Sequence, residues 1–97
     1  MKFSILTTAQ SELDAAANYY GQQVSGLDLD FVREAKKTLE RIKANPLSYT
    51  KISQNTRSAN LRIFPYSVFY SSSDTEIVVL SIGHHRRKPV NWSKQHD

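Results

Sequence analysis

A chain of 97 residues supplies one hydrophobic core and leaves no room for a second, so residues 1–97 are read as a single domain. The complete lack of cysteine excludes disulfides, thiolate zinc sites and thiol nucleophiles, and it agrees with a reducing, cytoplasmic setting. The net charge of +4 favours an acidic partner, while no window approaches the ~20 apolar residues of a membrane span and MKFSILTTAQ lacks a signal-peptide core.

Charge is unevenly placed. Residues 1–30 carry Lys2 against Glu12, Asp14, Asp28 and Asp30, whereas residues 31–70 carry eight basic side chains against Glu34 and Glu40. The first element is a short strand, with Phe3 and Ile5 alternating onto one face. Thr7-Thr8-Ala9-Gln10 reads as a capping box, so a helix is expected to begin there. Leu13, Ala16, Ala17, Tyr20 and Val24 form its apolar stripe, and Gly26 is placed to end it. Gly21, costing about 1 kcal/mol relative to alanine, predicts a frayed last turn.

A second helix is expected from Asp28 or Asp30, whose carboxylates suit the positive helix end, to Asn45-Pro46, where proline forbids continuation. Phe31, Ala35, Leu39 and Ile42 form its buried stripe. Arg33, Lys36, Lys37, Arg41 and Lys43 form a basic opposite face, either a solvated surface or a docking one. Residues 47–56 read as a polar loop. Ala59, Leu61 and Ile63 alternate as a strand with Arg62 on its wet side, Phe64-Pro65 turns the chain, and Tyr66, Val68 and Tyr70 resume the pattern. Residues 77–82 are almost continuously apolar and β-branched, the composition of a strand buried on both faces and therefore central.

Strand, two helices and three strands predict an α+β fold: an N-terminal strand, a two-helix hairpin, and an antiparallel three-strand meander in one small sheet. A central last strand needs two neighbours, so pairing between the two chain ends is expected.

The chemistry-bearing residues gather at the end of the last strand, in GHHRRK. Adjacent histidines on a strand point to opposite faces, so His84 and His85 do not chelate one metal, and neither a metal site nor a cofactor is expected. An imidazole beside guanidinium groups could serve acid–base chemistry at a phosphodiester, which makes His85, Arg86, Arg87 and Arg62 the candidate catalytic residues. The three arginines with Arg57 and Lys88 could instead form one binding patch for nucleic acid, with Tyr66 or Tyr70 available for stacking. Trp92 reads as an anchor that docks the tail on the core.

Four segments together, ELDAAANYY (residues 12–20), FVREAKKTLERIKANP (31–46), LRIFPYSVFY (61–70) and IVVLSIGHHRRKPVNW (77–92), resemble the RelE/ParE superfamily of toxins from type II toxin–antitoxin systems. The resemblance spans nearly the whole chain and implies a compact sheet with an N-terminal helical hairpin. It also implies one of two activities. RelE-type members cleave messenger RNA on the ribosome with basic residues before the aromatic turn, after its aromatic residue and beyond the last strand. Ser58, Asn60, Ser67 and His85 occupy those positions here. The pattern is closer to the ParE branch, which implies inhibition of DNA gyrase by binding, a role in plasmid stabilization, and neutralisation by a cognate antitoxin in a joint oligomer. The partner-binding residues expected on that reading are Arg57, Arg62, Tyr66, Tyr70, His84, Arg86, Arg87 and Trp92. A ribosome-dependent endoribonuclease and an antitoxin-binding module without its own target remain the alternatives.

Overall fold

Alternation at the N-terminus does produce a strand, Lys2–Ile5 (β1), and both Phe3 and Ile5 pack on the core. It is followed by helices Thr7–Gln23 (α1) and Leu27–Ala44 (α2), and then by strands Thr50–Lys51 (β2), Arg57–Asn60 (β3), Tyr66–Ser72 (β4) and Glu76–His84 (β5). The computed structural model describes residues 1–85. Arg86, Arg87, Trp92 and His96 lie outside the described residues.

The α+β class and the order of the main elements agree with expectation. The five-stranded sheet runs β1-β5-β4-β3-β2. β5 is central, between β1, which it meets in parallel, and β4, which it meets antiparallel. The pairing of the chain ends follows from the helical hairpin, which carries the chain across one face of the sheet before the meander returns it to β1. One strand exceeds the expected number: β2 is two residues long, inside the segment read as loop, and pairs only with Ser58 and Arg57.

Several local expectations are corrected. Thr7 does not cap α1; Leu6 holds the N-cap position without a side-chain cap, and the Gln10 amide donates instead to Asp14 Oδ1 at 3.1 Å. The cause is a lack of slack: the Leu6 N–H is still bonded to the Val79 carbonyl at 3.0 Å, while the Leu6 carbonyl already accepts from Gln10 N–H at 3.0 Å. Strand therefore passes into helix with no residue left between them for Thr7 to fill. Gly26 does not terminate α1, which closes with the Val24 N–H on the Tyr20 carbonyl; it is the N-cap of α2 at φ 90°. A left-handed backbone there favours glycine, and it reverses the chain within three residues.

Gly21 also has a different role from the fraying expected of it. A Cβ at that position would lie 2.9 Å from Asp28 Cβ on α2. Its missing side chain is what lets the two helices approach at the hairpin.

The stripe of α2 is buried as expected at Phe31, Ala35, Leu39 and Ile42, joined by Glu34 and Thr38. Thr38 satisfies its hydroxyl by donating to the Glu34 carbonyl one turn back at 2.9 Å. Phe31 lies at the centre of an aromatic cluster, 5.3 Å from the Tyr20 ring, 5.1 Å from Phe64 and 5.2 Å from Tyr66. These rings weld the helical hairpin to the β3–β4 turn. Each fully buried side chain of this size contributes about 1.5–3 kcal/mol by leaving water.

β5 is buried along most of its length. Tyr70 pairs with Val79 and Phe69 with Ser81, so Leu80 is an extra residue bulged from the ladder. Phe69 and Leu80 are buried yet stand outside the main cluster, which agrees with a central strand covered on both faces. Beyond the end of β1, the open edge of β5 is closed by Glu12 of α1. Its Oε1 accepts from Ser81 Oγ at 2.9 Å and from the Ile82 N–H at 3.0 Å.

Candidate functional site

The β3–β4 turn and the end of β5 meet at one corner of the sheet. The Leu61 N–H donates to the Tyr66 carbonyl at 2.8 Å, and the His85 N–H donates to the Pro65 carbonyl at 2.9 Å. These two bonds tie residues 61–65 to the strand end. β3 stops at Asn60, so Leu61 and Ile63 do not extend the strand as the alternation suggested. Ahead of Phe64-Pro65 the chain turns through Ile63 at φ 76°, which leaves the isoleucine 88 % exposed. Arg62 is accordingly an exposed turn residue and not the wet side of a half-buried strand.

Register separates the two histidines. Tyr66 pairs with His84, and their rings lie 5.7 Å apart on the face carrying the aromatic cluster. Ser67, next along β4, points the other way and meets His85: Ser67 Oγ lies 2.8 Å from His85 Nδ1 and donates to Asn60 Oδ1 at 2.6 Å. A hydroxyl has one proton to give. With that proton on Asn60, the Ser67 oxygen is left to accept from a proton on His85 Nδ1. Ser67 is buried while His85 is exposed, so the chain Asn60–Ser67–His85 leads from the sheet to the surface.

Three of the four positions at which the RelE pattern places basic groups are thus joined by hydrogen bonds into one unit. Ser58, the fourth, is two residues from Asn60 on the same strand and pairs with Phe69. The unit anchors one imidazole through Nδ1 and contains no lysine or arginine.

Arg57 and Tyr70, paired across β3 and β4, lie away from the turn that carries Arg62, while Arg86, Arg87 and Lys88 of the expected patch lie outside the described residues. Tyr70 is fully buried and its hydroxyl donates to the Pro46 carbonyl at 2.5 Å. Burial pushes its phenol up to about 12, with Arg57 pulling down and Tyr49 pushing up. Arg57 is half-buried and spends its guanidinium on the Tyr49 carbonyl at 2.7 Å. Both therefore lock the loop after α2 to the sheet. Tyr66 is half-buried at the other end of β4, within 6.0 Å of Tyr20, whose phenol is raised by burial and by its neighbours Tyr66 and Tyr19. Of the expected binding residues, Tyr66, His84 and Arg62 remain at the corner, while Arg57 and Tyr70 do not serve it.

The basic face of α2 is partly neutralised along the helix. Arg33 pairs with Asp30 at 2.9 Å, Lys43 with Glu40 at 3.0 Å, and Lys37 lies 3.8 Å from Glu34. Arg41 donates to Thr38 Oγ1 at 2.9 Å. The exposed pairs Arg33–Asp30 and Lys43–Glu40 are worth at most ~1 kcal/mol each, so they leave the face open to a competing acidic surface. Among the described residues, no three histidine or carboxylate side chains gather as metal ligands, and no helix is long and apolar enough to cross a membrane.

Sequence reasoning missed the Asn60–Ser67–His85 unit and the Glu12 clasp. Neither has a local signal, because Ser67 and His85 are 18 residues apart and Glu12 and Ile82 are 70 apart.

Residues 4–89 match the model of a family described as the ParE toxin of the type II toxin–antitoxin system parDE. The chain belongs to the ParE toxin family. Its fold is similar to a chain from the chromosomal ParDE TA system of P. aeruginosa at a TM-score of 0.77, with 20% identity over 87% of this chain and 95% of that one. It is also similar to a copper-bound mutant toxin from Helicobacter pylori at a TM-score of 0.53, with 21% identity over 88% and 94% of the two chains. No curated protein matches the chain. Identities this low speak for a shared fold and leave the residues of the corner to be judged on their own chemistry.

Proposed function

We propose that this ParE-family chain inhibits its target by binding, that the target is DNA gyrase, and that a cognate antitoxin neutralises it by covering the same surfaces. The observation that carries the reading is the Asn60–Ser67–His85 unit, which holds no lysine or arginine where the RelE pattern has basic residues. A phosphate held for in-line cleavage needs fixed donors and cations placed before the transition state forms, and this corner spends its polar atoms on one another. Inhibition by occupancy asks only for a rigid, shaped surface. The tied turn with Arg62, Ile63 and Tyr66, and the basic face of α2, supply one each. The net charge of +4 suits both an acidic antitoxin segment and an acidic patch on the target. The ParDE neighbour adds support for an antitoxin partner.

Supercoiling by purified gyrase, titrated with the toxin, tests the reading. Loss of supercoiling or a stabilised cleavage complex is expected, with reversal on adding the antitoxin encoded beside it. Unchanged activity at toxin excess overturns the gyrase assignment.

One observation favours a second reading, a ribosome-dependent endoribonuclease: the imidazole of the exposed His85 is oriented through Nδ1, 2.8 Å from Ser67 Oγ, as a positioned acid–base group would be. Primer extension on a translated message would then show codon-phased cuts that His85→Ala abolishes. An intact message together with undiminished toxicity of His85→Ala removes it.

A further inference from the structure

The face of the sheet turned away from the helices is buried at its centre, yet among the described residues no helix or strand is layered on it. Alternation along β4 sends Val68 and Tyr70 toward the helices and Ser67, Phe69 and Ser71 the other way. Phe69 is only 4% exposed and Leu80, bulged from β5, only 6%, although neither joins the cluster that the helices cover. The Phe69 ring leans over Gly83, where a Cβ would stand 3.8 Å from Phe69 Cε2. Across the ladder Phe69 meets Ser58 on one side and Ser81 on the other. Two serines and a glycine are too small to keep water from a phenylalanine, so its cover comes from outside the sheet.

Both helices spend their buried stripes on the opposite side, and the burial of Phe69 and Leu80 belongs to the free chain. That leaves residues 86–97, outside the described part, to supply the cover. Their sequence, RRKPVNWSKQHD, suits the task. Pro89 favours extended backbone at Lys88, and in an extended segment Val90 and Trp92 share one face while Asn91 takes the other. The length also suffices. Trp92 is seven residues beyond His85, roughly 23 Å of extended chain, whereas Gly83 lies only two residues back along β5, roughly 7 Å away. We propose that the C-terminal segment is a strap laid back over the helix-free face, with Val90 and Trp92 seated on Phe69 and Leu80. An indole supplies the largest apolar contact of any side chain in the segment. Anchoring it closes residues 86–91 into a loop that starts at His85, so Arg86, Arg87 and Lys88 are held at the corner that carries Arg62.

Trp92 is the only tryptophan of the chain, so its fluorescence reports on the strap in the intact protein. Its emission is expected to be blue-shifted from that of N-acetyl-tryptophanamide and to be quenched several-fold less by acrylamide. Leu80→Ala, read where circular dichroism shows the fold intact, should shift the emission to the red and raise the quenching. Leu39→Ala, which removes a buried leucine from α2 on the other side of the sheet, should leave both unchanged in the folded state. Nuclear Overhauser effects in the wild type, from the indole protons to the Leu80 methyls and the Phe69 ring, locate the seat without any substitution. An indole as accessible as the free amide in the folded wild type, indole contacts confined to the helix side, or an emission indifferent to Leu80→Ala overturns the proposal. None of these outcomes bears on gyrase inhibition.

Discussion

Strand β4 has a tyrosine near each end, and the two ends have opposite fates. Tyr70 is sealed in the core, its hydroxyl on Pro46 and its neighbour Arg57 on Tyr49. Tyr66 sits half-buried where the strand leaves the turn, beside His84, an exposed His85 and the strained Ile63. One alternating pattern, Tyr66-x-Val68-x-Tyr70, thus produces both a clamp and a half-exposed rim. The difference teaches that the rim is built by what arrives from elsewhere in the chain: β5 brings the histidines, and α2 brings Phe31 against the Tyr66 ring.

The contrast breaks most readily at the sealed end. Tyr70→Ala empties a fully buried aromatic site and is expected to destabilise the fold by about 3–5 kcal/mol in urea denaturation. Tyr70→Phe, losing only the bond to Pro46, should cost about 1–2 kcal/mol. The pH dependence has a definite sign. The phenol is raised in the folded state to about 12 from its ordinary 10, so the folded chain holds the proton that the unfolded chain gives up. Its stabilisation is complete below pH 10 and is lost as pH rises from there through about 12. Tyr70→Phe should flatten that alkaline decline, and equal slopes for the two proteins would contradict the burial of the phenol.

The hairpin offers the next largest effect and the sharpest sign. Helix propensity predicts that Gly21→Ala stabilises α1 by about 1 kcal/mol, whereas the 2.9 Å approach of its Cβ to Asp28 Cβ predicts a net loss of about 1–3 kcal/mol. Thermal unfolding decides between them, and Asp28→Gly in the same chain should recover part of the loss. Glu12→Ala comes third, at about 1–2 kcal/mol, with faster hydrogen exchange at Ile82, whose amide it leaves open; Glu12→Gln, which keeps an acceptor, should fall between. Ile63→Gly reverses direction. Relieving a β-branched left-handed residue is worth about 1–2 kcal/mol, and glycine's extra entropy takes back about half, so a small gain in midpoint is expected. A gain in stability with a loss of partner binding would mark Ile63 as kept for contact.

Much of the fold was readable from residue order. The α2 stripe of Phe31, Ala35, Leu39 and Ile42, its stop before Pro46, and the central placement of residues 77–82 follow from periodicity and proline, which act within a few residues. The corner was only half readable. His84 and His85 on opposite faces follow from the period of two along a strand, but the fates of Tyr66 and Tyr70 do not. Both alternate with Val68, and nothing local records that Pro46 waits above one and that His84 flanks the other. Ile63 misled for a related reason. It continues an alternating pattern, yet the chain needed a turn before Pro65, and closure of Leu61 on Tyr66 forced the isoleucine into a left-handed backbone.

The sequence by itself determined the class, the two helices, the strand that lies at the centre and the family, because each rests on local propensity or on an ordered set of short segments. Tertiary structure alone decided which polar groups meet. Ser67 with His85, and Glu12 with the open edge of β5, are contacts between elements far apart along the chain. Their energies depend on distance and burial, which register and helix packing set only once the whole sheet has closed.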